Sequence, residues 1–147
     1  MTVKDILDAK DQAVCSIHPR ATVFEALRLM SEMEIGAVMV LDQAGVVRGI
    51  LSERDYARKI PLQGKLSRET AVEEIMTPVD RMHVVKPGNT VEDCMVLMTA
   101  KQVRHLPVFD DSHFVGLISI GDVVKAIISE KQSLIDQLHA YIAGKIG

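Results

Sequence analysis

Two short stretches carry the groups that could hold a ligand. Gly49–Asp55 reads Gly-Ile-Leu-Ser-Glu-Arg-Asp, and Gly116–Asp122 reads Gly-Leu-Ile-Ser-Ile-Gly-Asp, 67 residues further on (116 − 49). Each follows an apolar run and leads into a helical pattern, Tyr56-Ala57-Arg58-Lys59 or Val123-Val124-Lys125-Ala126. Each is therefore read as a strand end, a turn and a helix start. Backbone N–H groups at a helix start, joined by Ser52 and Asp55 or by Ser119 and Asp122, make a place for a phosphate and a sugar. The same Ser-x-x-Asp spacing is also a helix cap, with Ser accepting a free N–H and Asp favouring the positive end of the dipole. Both readings stand at the level of residues.

The elements that must position these turns are duplicated as well. Val3, Ile6 and Leu7 form a short stripe at helical spacing that recurs as Val72, Ile75 and Met76, ended by Thr77-Pro78. Ala13–Ile17 reads as a strand, with Met82–Val85 as its counterpart, and Pro19 and Pro87 follow at matching places. Thr22-Val23-Phe24-Glu25 and Thr90-Val91-Glu92-Asp93 are capping boxes that open helices. Ala37–Asp42 and Val46–Leu51 read as a hairpin, repeated as His105–Asp110 and Phe114–Ile118. The offset is 68 before the turn (90 − 22) and 67 after it, so the second turn has lost one residue. Pro107 cannot donate to a ladder, so its strand is an edge there or leaves that position open. Each half is then strand–helix–strand–strand–helix in an α/β (α+β) fold, and a half alone is near the lower size limit for folding. The division is 1–66 with the leading turn, 67–130 with the polar linker around Pro61–Thr70, and a C-terminal amphipathic helix at 131–147. The stripe Leu134, Ile135, Leu138, Tyr141 and Ile142 must be buried on its own chain or on a second copy.

Composition narrows the function class. The chain has 147 residues, 48% of them apolar, with no apolar run long enough to span a membrane and no secretory pattern at Met1–Asp5. A cytoplasmic protein is expected, with Cys15 and Cys94 as separate thiols. A net charge of −3, no Trp, two Tyr and three Phe leave neither a basic footprint nor stacking platforms for nucleic acid. The five His residues show no metal-ligand spacing, so no metal is expected. No Walker-type loop, nucleophile elbow or His-Glu-x-x-His is present, which argues against an enzyme.

Taken together, motif, duplication and order resemble a pair of cystathionine-β-synthase (CBS) domains, a Bateman module. The resemblance covers about Lys10 to Glu130. Ser52–Lys59 and Arg104-His105-Leu106-Pro107-Val108 resemble small stand-alone bacterial proteins made only of such a pair. It implies two repeats related by a pseudo-twofold axis, with a regulatory adenine-nucleotide site in the clefts between them. Carried over, Asp55 and Asp122 would bind ribose hydroxyls, and Ser52 and Ser119 would lie near the α-phosphate. The adenine would rest on Ile17, Val38, Met39, Val84 and Pro107, with Ile120 beside it. Arg54, Arg104 and His105 are further candidates. Arg54 has Gly121 as its counterpart, so the two sites are expected to differ.

The expected function is a non-catalytic sensor for AMP. NAD(H) or ATP sensing and a ligand-free adaptor are the alternatives. Few Lys and Arg cluster beside the motifs in sequence, which disfavours a triphosphate. A homodimer is expected, with an unnamed regulated protein as partner.

Overall fold

The computed structural model describes residues 1–10 and 13–146. The chain divides into two compact units, Gln12–Met82, and Met1–Asp11 together with His83–Gly147. This differs from the sequence division at 66/67. The leading turn of the first repeat lies in the unit of the second repeat, and residues 67–82 lie in the unit of the first. The reason is local in each unit. Val3 and Ile6 fill the core around Val91, Leu106 and Ile118, while Val72 and Ile75 fill the core around Val23, Val38 and Leu51.

In the unit Gln12–Met82, β1 (Ser16–Ile17), β2 (Ala37–Leu41), β3 (Val47–Ser52) and β4 (Thr77–Pro78) form one sheet in chain order. β1 runs parallel to β2 and the other pairs are antiparallel. Thr22 caps α2 (Val23–Met33) by accepting the Glu25 N–H at 3.1 Å. Of the two capping boxes read from the sequence, the reciprocal half is made at Thr90 and not at Thr22. α2 places Val23, Ala26 and Met30 on the core face. Asp42 shapes the hairpin turn by accepting from the N–H groups of Ala44 and Val46. α3 (Glu53–Lys59) follows β3 directly.

The other unit repeats this plan around α4 (Val91–Lys101), β5 (His105–Asp110) and β6 (His113–Ser119), with α1 (Val3–Ala9) and α5 (Ile120–Ile146) packed against them. Its hairpin turn is one residue shorter and puts Asp111 at φ 55°. The strand expected at Met82–Val85 is reduced to a single parallel bridge, Val85 to Val108, and the one expected at Ala13–Ile17 to two residues. Pro107 explains the difference between the repeats. In the first, the Met39 N–H donates to the Cys15 carbonyl at 3.1 Å. Pro107 stands at the equivalent of Met39 and has no N–H to give to His83, the counterpart of Cys15, so pairing does not extend back from Val85.

Cys94 is buried in the α4 core face, and burial, helped by Asp93, pushes its thiol up to about 11. The expected helix at 131–147 is not a separate element but the continuation of α5, and Gly147 lies outside the described residues. Among the described residues no helix is long and apolar enough to cross a membrane.

Candidate ligand-binding site

At both motifs a strand end runs directly into a helix start, without the turn expected between them. At the first, Ser52 ends β3 and caps α3, its Oγ accepting the Asp55 N–H at 3.2 Å. Asp55 Oδ2 accepts from the Ser52 N–H at 3.0 Å and from the Ser52 hydroxyl at 3.1 Å. At the second, the Ser119 Oγ accepts the Asp122 N–H at 3.2 Å, and Asp122 Oδ2 accepts the Ser119 N–H at 2.8 Å. A backbone bond pins each motif to the strand start opposite. The Glu53 N–H donates to Gly36 at 3.0 Å, and the Ile120 N–H to Arg104 at 2.8 Å. The capping arrangement is therefore present twice. It does not use up the carboxylates, because an ionised carboxylate offers about four lone-pair sites.

The two Asp residues differ in how full they are. Asp55 Oδ1 also accepts from Lys59 Nζ at 3.3 Å and from the Thr77 hydroxyl at 3.4 Å, so four described bonds end on this group. Asp122 takes two among the described residues, from the Ser119 N–H at 2.8 Å and from Lys10 Nζ at 2.7 Å. Lys10 also donates to the Leu117 carbonyl at 3.0 Å. Burial alone would raise the Asp122 carboxyl, but the Lys10 ammonium and the Ser119 N–H outweigh it and hold the group below its ordinary value. His105, paired with Ser119 across β5 and β6, joins this cluster. Its own burial, then the positive charges of Lys10 and Arg104, lower its imidazole against the opposing pull of Asp122.

Lys10, Lys59 and Thr77 escaped the sequence reading. Lys59 stands four residues after Asp55 on one helix, a spacing that favours an ion pair. Lys10 and Thr77 reach their Asp from distant segments and leave no local signal. The scarcity of basic groups beside the motifs is thus corrected, since an ammonium contacts each motif carboxylate.

The adenine-wall residues do not share a face. Val38 is fully buried in the core with Val23 and Leu51, and Ile17 packs against that core. The Val38 side chain therefore has no exposed surface, while Ile17 is only partly buried. Successive strand residues point to opposite faces, so Met39, paired with Ile50, lies on the other face, as does its counterpart Pro107, paired with Leu117. Both are buried. Val84 corresponds by the 68-residue offset to Ser16, not Ile17, and is 44% exposed. Ile120 is exposed in the first turn of α5, Arg104 is exposed, and Arg54 is half-buried in the first turn of α3.

Comparison with known proteins places this geometry. The CBS domain family matches the chain twice, at residues 3–62 and 72–129. A mitochondrial CBS domain-containing protein of Arabidopsis thaliana, CBSX3, is 36% identical over 97% of this chain and 72% of its own length. The solved structure of a protein with CBS domains from Burkholderia ambifaria is 44% identical, with a TM-score of 0.83 over 88% of this chain and 95% of that one. The structure of CBSX2 in complex with AMP is 30% identical, with a TM-score of 0.71 over 88% and 98%. The duplicated motif, the duplicated element order and the double match agree, and the chain belongs to the CBS-domain family, carrying two CBS domains in tandem.

Proposed function

We propose that this CBS pair is a non-catalytic regulatory module that binds an adenine nucleotide, with AMP as its preferred ligand. The observation that carries the reading is the Asp122 carboxylate. It is held ionised between a strand end and a helix start, beside the Ser119 hydroxyl and the Lys10 ammonium, with acceptor capacity to spare. Such a group can take both neighbouring hydroxyls of a ribose, while Ser119 and a cation meet a phosphate. The complex of the related CBSX2 with AMP supports the ligand class. Asp122 is the stronger of the two sites, because Asp55 already receives four bonds. Arg54 would then serve the Asp55 site, where a guanidinium can grip two phosphate oxygens at once. Regulation follows from a difference in ligand affinity between two arrangements of the protein, and the functional unit is a homodimer.

A thermal-shift plate with adenosine, AMP, ADP, ATP, NAD and NADH tests the reading. At a hundred times its dissociation constant a ligand adds about 2.7 kcal/mol. For a chain of this length that raises the melting temperature by roughly 5–10 °C. AMP should give the largest rise. No rise with any of the six overturns the proposal and leaves a ligand-free adaptor.

A further inference from the structure

α1 is held firmly at its start and loosely at its end. Val3 and Ile6 are buried in the core. The Val3 N–H donates to the Asn89 carbonyl at 2.9 Å and the Lys4 N–H to that of Pro87 at 3.0 Å. In the last turn Asp8 and Ala9 are exposed, and Leu7 is half-buried over Gly116. The Lys10 N–H closes the helix on the carbonyls of Ile6 and Leu7. The polar tie from this turn to the motif is the Lys10 side chain, which donates to Asp122 Oδ2 at 2.7 Å and to the Leu117 carbonyl at 3.0 Å.

The end of α1 is also a junction. The chain passes between its two compact units twice, after Asp11 and after Met82. Each passage is reached from a leading segment that an ammonium ties to a motif Asp. Before the first, Lys10 on the leading segment bridges Asp122 and a strand carbonyl. Before the second, Lys59 on the motif helix bridges Asp55 Oδ1 at 3.3 Å and the Ile75 carbonyl at 2.7 Å. Ile75 stands in its segment where Ile6 stands in α1. The same tie is thus built twice, with its ends exchanged.

The two ties differ in what they leave for a ligand. An ammonium has three N–H donors and a carboxylate about four lone-pair sites. Four bonds already end on Asp55. At Asp122 lone pairs remain, so ribose hydroxyls can bind without displacing Lys10, whose charge-assisted bond is the stronger kind. Lys10 places two donors, on Asp122 and Leu117. The third is left for an anion beside Asp122.

We propose that the phosphate of a nucleotide at the Asp122 site takes this third donor and fastens the last turn of α1, which carries the ligand state to the junction with the other unit. The coupling rests on the nucleotide reading of the Asp122 site. A nucleoside lacks the phosphate, so it should occupy the site without fastening α1.

Hydrogen exchange on the full chain reads the amides of Leu7 to Lys10, with AMP and adenosine each at the same multiple of its dissociation constant. AMP should slow their exchange about 10-fold more than adenosine does, the value of one charged hydrogen bond. Lys10→Met keeps the length of the side chain and removes its donors. The variant should exchange faster at these amides without ligand, and AMP should protect them no more than adenosine does. By calorimetry its AMP affinity should fall about 10-fold while its adenosine affinity stays near wild type. A lysine serving only the fold would leave that ratio unchanged. The wild-type comparison decides the matter even where Lys10→Met folds poorly. No AMP binding to the wild type removes the nucleotide reading and the coupling with it. AMP binding with no more protection at α1 than adenosine gives, or an unchanged AMP-to-adenosine ratio in Lys10→Met, overturns the coupling alone.

Discussion

Lys10 Nζ lies 2.7 Å from Asp122 Oδ2, so the residue that caps the end of α1 is tied to the first turn of α5. In the other unit Thr77 reaches Asp55 at 3.4 Å from β4. Each leading segment thus delivers a polar group to the motif Asp of the repeat it does not precede. The cation differs in origin: Lys10 arrives from 112 residues away, while Lys59 comes from the same helix as Asp55.

Asp122→Ala should weaken AMP binding by about 10- to 100-fold, the value of a charge-assisted hydrogen bond at 1.5–3 kcal/mol. Asp55→Ala should have the smaller effect on AMP, because four bonds already end on Asp55. Either variant also loses the bonds that the carboxylate accepts within its unit, at a cost to the fold of about 1–3 kcal/mol. Calorimetry on both variants, alongside circular dichroism, separates binding from folding. Wild-type affinity in Asp122→Ala would remove the carboxylate from the ribose role.

Lys10→Met should shift acid unfolding upward in pH. Asp122 in the folded protein stays ionised below its ordinary value of 3.8. A carboxyl depressed by folding contributes stability that is complete above the unfolded value and is lost as pH falls through the folded one. Without the ammonium, burial is opposed only by Ser119, the folded value rises, and the loss begins at higher pH. At neutral pH the variant should be about 1–2 kcal/mol less stable, within the range for a charged hydrogen bond. Urea midpoints between pH 3 and 7 check both effects. Parallel curves for variant and wild type would show that Lys10 does not hold Asp122.

The period-2 and period-3.6 patterns, the caps and the missing turn residue were legible because each is set by neighbours in sequence. The open ladder position at Pro107 was legible for the same reason. Of the α2 stripe Val23, Ala26, Leu27, Met30 and Met33, the first four pack in or against the core, and Met33 in the last turn is 46% exposed. What the pattern could not say was which core a stripe fills. Val3 and Ile6 look the same whether they pack on their own repeat or the other. Lys10 and Thr77 were invisible as site residues for that reason. Val38 is a different case: alternation in β2 already separates its side chain from that of Met39, so an adenine wall drawn from both side chains would have to cross the sheet.

The two motif glycines look equivalent in sequence, yet they should respond differently to alanine. Gly49 in β3 pairs with Pro78 in β4. A Cβ there would overlap the Thr77 carbonyl oxygen and come within 2.9 Å of the Met76 Sδ. The oxygen is backbone and cannot step aside, so β4 must move, and Thr77 with it. At Gly116 the nearest atom is Cδ2 of Leu7, at 2.7 Å. That is the far end of a half-buried side chain, which can change rotamer. Overpacking costs typically about 1–3 kcal/mol. Gly49→Ala should fall at the upper end of that range. Gly116→Ala should fall near or below the lower end, because replacing Gly also restricts the unfolded chain and returns about 0.4–1 kcal/mol. Urea denaturation of both variants measures the difference. Because Thr77 donates to Asp55, Gly49→Ala should also disturb the Asp55 site while leaving AMP binding at Asp122 within twofold of wild type. Equal losses at the two positions would mean that β4 yields as easily as a leucine side chain, and that the contact between Thr77 and Asp55 is not fixed by the sheet.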